Sequence, residues 1–203
     1  MSFTTWLPLA TICVLGAISP GPSLALVINN TVQRGTATGL NTAIGHGLGV
    51  ALYALLTAMG LGLMISQTPW LFQGLQYAGA AFLLYMAFNI LRAKPAAETE
   101  EARPHKSRFV GFGGGFMVAF LNPKLAIFFL ALFSQFVRKD LTLGDQLVMM
   151  ATAGGIDALW YAAVALGIGR TGLLGWLKSN ALWVDRASAL IFIALATAVV
   201  LRS

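Results

Sequence analysis

The chain has 203 residues, of which 58% are hydrophobic and only 10% charged, with a net charge of +6 and a mean hydropathy of +0.78. Water-soluble domains carry about 25% charged residues, so the composition excludes that class and points to an all-α integral membrane protein. The basic residues sit in short stretches between apolar runs, which excludes a nucleic-acid footprint and suits residues that set membrane orientation.

A membrane helix needs roughly 20 apolar residues, and six runs qualify: about 3–28, 38–65, 70–91, 109–137, 146–169 and 182–201. The first has no basic stretch ahead of it and continues past Pro22, so it reads as a span rather than a cleaved signal peptide. It contains the chain's one cysteine, Cys13, which excludes an internal disulfide and any Cys-x-x-Cys motif. A small side chain facing lipid or a neighbouring helix accounts for Cys13. Ser19-Pro20-Gly21-Pro22-Ser23 interrupts this run. Proline lacks a backbone donor and clashes with the carbonyl four residues earlier, so the motif should break the helix. Such a break is tolerated inside lipid only where protein or a water-filled cavity surrounds it. Asn29 and Asn30 follow, as expected caps of the first helix.

The second run holds Gly45-His46-Gly47-Leu48-Gly49. Histidine titrates near physiological pH and would suit proton coupling, although a hydrogen bond to a neighbouring helix explains His46 as well. The glycines suit close helix packing. After the third run comes a polar segment, 92–108, with five Lys or Arg, three Glu and two Pro, which reads as a solvated linker. The fourth run carries a second interruption at Asn122-Pro123-Lys124, and the fifth carries Asp157. Lys124 and Asp157 are the only formal charges well inside the runs. A charge near the bilayer centre costs about 2.5–3.5 kcal/mol on insertion scales, so such residues usually pair or face a cavity. A Lys124–Asp157 pair could hold substrate charges, relay a proton, or serve structure alone. Trp6, Trp70, Trp176 and Trp183 fall near run ends, where interfacial anchors belong.

Six alternating spans place nine Lys or Arg on one side, at Arg34, the linker, Arg170, Lys178 and Arg186, against three on the other, Arg138, Lys139 and Arg202. The positive-inside rule puts the nine in the cytoplasm and both termini outside. The halves also align: Pro22-Ser-Leu-Ala-Leu26 with Pro123-Lys-Leu-Ala-Ile127, Val50-Ala-Leu-Tyr53 with Asp157-Ala-Leu-Trp160, and Gly60-x-Gly62 with Gly167-x-Gly169. The expected layout is six transmembrane helices in two inverted three-helix repeats with broken first and fourth helices. Residues 1–91 form one repeat, 92–108 a cytoplasmic linker and 109–203 the second repeat. Repeats with an odd number of spans must insert in opposite orientations.

Matched helix breaks in two halves point to a transporter's binding site. At a break, freed amides and carbonyls can hold the carboxylate and ammonium of a zwitterion; a packing kink is the plainer explanation of either motif alone. The candidate substrate-binding residues are Pro20, Gly21, Pro22, Ser23, Asn122, Pro123, Lys124 and Asp157. Asp157 and His46 are the candidates for proton coupling. No catalytic residue, metal site or cofactor is expected.

Ser19-Pro-Gly-Pro-Ser23, Arg34-Gly35, the glycine-rich second run and Asn122-Pro123-Lys124 together resemble the LysE/RhtB family of amino-acid exporters over essentially the whole chain. That family usually carries asparagine where this chain has Ser23. The resemblance implies proton-driven export of amino acids or close derivatives across the bacterial inner membrane. The partners it implies are the amino acid and the lipid bilayer; a homo-oligomer stays open. A carrier for another solute or a metal cation is the alternative. An intramembrane hydrolase would need a nucleophile near His46 in a recognised motif, and a thiol oxidoreductase would need two cysteines. A channel differs from a carrier in being unable to move solute against a gradient.

Overall fold

The computed structural model describes residues 1–19, 21–92, 109–167, 183, 186–187, 189–198 and 201, except for the side chains of residues 90, 123 and 124. Among these residues the fold is helical, without strands. The elements are α1 (Phe3–Ile18), α2 (Pro22–Arg34), α3 (Thr36–Gln67), α4 (Pro69–Arg92), α5 (Gly111–Phe120), α6 (Pro123–Phe133) and α7 (Leu143–Gly167). A shorter apolar helix, α8, covers Ala189–Ala198.

Both expected breaks are present. α1 and α2 meet at a bend of 56°, and α5 and α6 at 59°. The prolines act less as disruptors than as starters: Pro22, Pro69 and Pro123 each stand first in their helix. There the missing N–H costs nothing, because the first amides of a helix have no internal partner. Asn122 supplies the carbonyl that accepts from the Ala126 amide in the first turn of α6. Gly35 turns the chain between α2 and α3 with φ of +88°, a conformation that side chains with a Cβ resist. Thr142 and Asp145 form a capping box that starts α7, the Thr142 backbone amide donating to the Asp145 carboxylate at 3.1 Å and the Asp145 backbone amide donating to the Thr142 hydroxyl oxygen at 3.1 Å. The same carboxylate takes the ammonium of Met1.

Among the described residues three helices, α3, most of α4 and α7, are long and apolar enough to cross a membrane, or up to five spans when each bent pair counts as one. The sixth expected run, 182–201, falls largely outside the described residues; α8 is the described part.

α3 lies at the centre and packs against α2, α4, α5, α6 and α7. Gly39 faces Ala165, His46 faces Asp157 and Gly62 faces Gln146, so α3 and α7 run antiparallel. Gly45 against Phe112 and Tyr53 against Phe120 show α5 running the same way as α3. Met1 against Asp145 and Trp6 against Thr152 show α1 running with α7. The main core joins Leu9, Leu83, Leu132, Phe133, Met149 and Phe192. A separate small cluster of Leu24, Val27, Ala43, Tyr161, Val164 and Ala165 packs α2 against α3 and α7.

The α3–α7 crossing is reciprocal. A Cβ on Gly47 would lie 2.5 Å from the Ala158 Cβ and 2.8 Å from the Gly154 carbonyl oxygen. A Cβ on Gly154 would lie 2.5 Å from the Ala51 Cβ and 2.7 Å from the Gly47 carbonyl oxygen. Gly47 corresponds to Gly154, and Ala51 to Ala158, in the register that aligns Val50 with Asp157. Residue i touching j while j touches i is the mark of a two-fold relation.

Candidate functional site

Next to that crossing, His46 of α3 and Asp157 of α7 pair through Nδ1 and Oδ2 at 2.6 Å. His46 is 1% exposed and Asp157 7%. A hydrogen-bonded partner is what lets two ionisable groups stay buried. The crossing explains the shortness of the contact: glycine on both helices brings the backbones close enough for short side chains to meet. With a proton on Nδ1 donated to Asp157, the neutral ring keeps its lone pair on Nε2. That Nε2 is buried and has no hydrogen-bond partner among the described residues.

Tyr161 stands one turn beyond Asp157 on the same face of α7. Its ring meets the His46 ring at 5.0 Å between centroids with an interplanar angle of 86°. It shares a small buried cluster with Leu24 and Val27 of α2. Ser23 sits in the first turn of α2, directly after the first break, and Gly21 precedes that helix without a side-chain cap. Cys13 of α1 is buried as well. The first break and the His46–Asp157 pair thus belong to one cluster.

The second break lies further along α3. Gly115 of α5 abuts Thr42 and the His46 backbone, and Asn122 follows seven residues later, about 10 Å on at 1.5 Å per residue. It reaches the level of Tyr53, whose ring meets Phe120 at 5.6 Å and Phe129 at 6.3 Å. Asn122 is partly buried. Pro20 and the side chains of Pro123 and Lys124 lie outside the described residues, and with them the Lys124–Asp157 pair. The partner seen for Asp157 is His46.

Asn30 is not the exposed helix cap that its place near the run's end suggested. It is 1% exposed in the body of α2, and its amide nitrogen donates to Thr42 Oγ1 at 2.9 Å and to the Phe109 carbonyl at 3.3 Å. α2 runs on to Arg34, which moves Asn30 inward. Tyr161 went unremarked in the sequence because buried aromatic residues abound there. Its spacing of four from Asp157 was the available signal.

A cavity of about 500 Å³ opens at the end of the bundle that holds the start of α1, lined in part by Thr4, Thr5, Gln76, Gln135 and Arg138.

Residues 14–203 match the family described as LysE type translocator. The chain belongs to this family. It is accordingly a membrane transporter and not an enzyme. Translocator relatives include a leucine efflux protein of Salmonella typhimurium, 35% identical over 122 residues, which cover 58% of this chain and 56% of the relative. An uncharacterized membrane protein of Pseudomonas aeruginosa is 36% identical over 127 residues, 58% of this chain and 57% of that protein. The chain's match thus spans a little over half the length of these two relatives. An uncharacterized membrane protein of Bacillus subtilis is 26% identical over 170 residues, 79% of this chain and 80% of its own. No solved structure matches the chain.

Proposed function

We propose that this translocator exports an amino acid or close derivative across the bacterial inner membrane in exchange for protons. The observation that carries the reading is the buried His46–Asp157 pair beside the broken first span. When Nε2 is unprotonated the pair is an anion in an apolar setting and attracts a cationic group such as a substrate ammonium. When Nε2 takes a proton the pair becomes neutral and the attraction is lost. Proton and substrate then compete for one site, which is the requirement for antiport. The freed amides that follow Gly21 lie alongside and suit the substrate carboxylate. Pro20, Gly21, Pro22 and Ser23 line the substrate at the first break, and Asn122, Pro123 and Lys124 serve the second.

The architecture that goes with this function is a pair of inverted three-helix repeats, 1–91 and 109–203, joined by a cytoplasmic linker at 92–108, with both termini outside. The reciprocal Gly47–Gly154 contact between antiparallel helices supports that arrangement, since a two-fold axis lying across the helices inverts one half against the other. The cavity beside Thr4 and Arg138 then opens outward and serves as the release vestibule.

The test is transport by purified protein in proteoliposomes with a panel of labelled amino acids, leucine first, under an imposed pH gradient. Accumulation of at least one of them against its own gradient, collapsed by a protonophore, is the expected result. Movement only down the gradient would remove the exchange for protons, and no movement of any amino acid would remove the substrate class.

A further inference from the structure

The cavity at the end of the bundle is built where α1, α4, the turn after α6, and α8 converge. Its volume of about 500 Å³ falls within the range of small-molecule sites, roughly 300–1,000 Å³. Ser134, which has no exposed surface, organises two of its polar walls. The Gln76 amide nitrogen donates to the Ser134 carbonyl at 2.9 Å, and the Gln135 amide nitrogen donates to the Ser134 hydroxyl oxygen at 2.9 Å. That hydroxyl gives its own proton to the Ala131 carbonyl at 2.8 Å, which leaves it an acceptor toward Gln135. We propose that this cavity binds a zwitterionic aliphatic amino acid, with the ammonium on the Gln76 and Gln135 carbonyl oxygens and the carboxylate on the Arg138 guanidinium. The choice of an amino acid among zwitterions rests on the export function proposed above.

A side-chain amide has one accepting oxygen and one donating nitrogen. With both nitrogens committed to Ser134, Gln76 and Gln135 offer the cavity two oxygens, which suit an ammonium. Two neutral acceptors hold an ammonium less tightly than a carboxylate would, as a station that must release its occupant requires. Arg138 brings the opposite charge three residues after Gln135. Its guanidinium is always protonated and presents a fork of donors that fits a carboxylate. Its ion pair with Asp140 is a single long contact, 3.8 Å from Nε, between two exposed side chains. Such a pair is weak, so the guanidinium is free to turn to a ligand. Pro8, Phe136, Val137 and Leu195 supply apolar lining that suits a hydrocarbon side chain.

The lining selects against simpler ions. Among the described residues Arg138 carries its only charge, so a bare cation is repelled. An anion without an ammonium leaves the two amide oxygens unanswered. A zwitterion satisfies both. The cavity is also separate from the His46–Asp157 pair. Trp6 meets Thr152 of α7, five residues or about 7.5 Å short of Asp157 at 1.5 Å per residue. Thr4 and Thr5 precede Trp6 on a helix that runs with α7, so the cavity they line lies farther still. The two sites are successive stations for one solute.

Protection of an introduced thiol reads this cavity alone. Ala198 lines it, and Ala198→Cys in the full chain, held in lipid nanodiscs, is timed in its reaction with a small maleimide. The native Cys13 is 7% exposed and adds little background. Leucine should slow the labelling. The amine 3-methylbutylamine, which lacks the carboxylate, and the acid 4-methylpentanoate, which lacks the ammonium, should each bind about tenfold or more weakly than leucine, the worth of a hydrogen bond to a charged group. Adding Arg138→Gln should reduce leucine to the level of the amine and leave the amine unchanged. Gln76→Leu should weaken leucine and the amine by about threefold or more and leave the acid unchanged. Asp140→Asn removes the competitor for Arg138 and should tighten leucine by up to about fivefold. Equal protection by leucine and either fragment overturns the zwitterion assignment, as does an Arg138→Gln change that weakens all three ligands alike. Leucine transported without protecting the thiol overturns this site and leaves the export reading standing. Protection without transport upholds the site and removes export, and the absence of both for every amino acid tried removes the two together.

Discussion

His46 Nδ1 and Asp157 Oδ2 lie 2.6 Å apart at a helix crossing where the contacts of Gly47 and Gly154 mirror each other but the chemistry beside them does not. In the register that relates Gly47 to Gly154, the counterparts of His46 and Asp157 are Ala153 and Val50. Both of those are buried in the main apolar core. One of two related positions carries an ionisable pair and the other carries hydrocarbon. The crossing supplies close, rigid backbones on both sides, and the side chains decide where a proton can be held.

Replacing Asp157 by Asn keeps an oxygen that can accept from His46 Nδ1 and removes the charge. Stability should change by no more than about 1 kcal/mol, the net worth of an ordinary hydrogen bond. Concentrative export should fall to background, and substrate affinity should lose its pH dependence because proton and substrate no longer compete. Asp157→Ala differs: it strands His46 without its partner and should cost about 3–5 kcal/mol when the histidine is charged. Thermal unfolding in detergent and proteoliposome transport separate the two effects. Normal proton-driven accumulation by Asp157→Asn would exclude this carboxyl from coupling.

Much of the fold was legible in the residues because proline, glycine and long apolar runs act locally. Pro22 and Pro123 located both breaks, and Gly47 with Gly154 marked close packing. The pairing of the charges was less accessible. Asp157 follows His46 by 111 positions, and only the antiparallel crossing of α3 and α7 makes them neighbours. Nothing in periodicity ranks His46 above Lys124 as a partner for Asp157. Asn30 misled for a related reason: its polarity suggested a helix end, whereas the helix continued and its amide found Thr42 of α3 and Phe109 just ahead of α5.

Asn30 is also a sensitive point for stability. Asn30→Ala removes both donations, one to the buried Thr42 hydroxyl and one to the carbonyl of the exposed Phe109, which should cost about 1–3 kcal/mol. Asn30→Asp should cost more, because an ionised carboxylate cannot donate to either the Thr42 hydroxyl or the Phe109 carbonyl. The order wild type, Ala, Asp in melting temperature is the expected outcome. An Asp variant as stable as the wild type would mean that these contacts do not hold α2.

Topology can be checked with a single introduced thiol. Ser107 lies in the basic linker assigned to the cytoplasm, and the native Cys13 is 7% exposed, so it contributes little background. In intact cells Ser107→Cys should resist an impermeant maleimide and react once the membrane is opened. Rapid labelling from outside would reverse the assigned orientation.

The reciprocal glycine contact makes a stronger demand, because it fixes two substitutions against each other. Gly47→Ala puts a methyl group 2.8 Å from the Gly154 carbonyl oxygen, and Gly154→Ala puts one 2.7 Å from that of Gly47. Backbone atoms cannot rotate away as a flexible side chain would, so either change must force α3 and α7 apart. Overpacking of this kind typically costs about 1–3 kcal/mol. Once the helices have separated for one methyl group, the second finds space already made, so the double variant should cost less than the sum of the single ones. Gly155→Ala on α7 provides the control: a Cβ there meets nothing within 4 Å, and alanine should be neutral or stabilising by up to about 1 kcal/mol. Separation should also lengthen the His46–Asp157 hydrogen bond, so the Gly47 and Gly154 variants should lose coupling to the proton gradient while Gly155→Ala keeps it. Additive costs at positions 47 and 154, or full coupling in both variants, would show that this crossing does not govern the distance between the two residues.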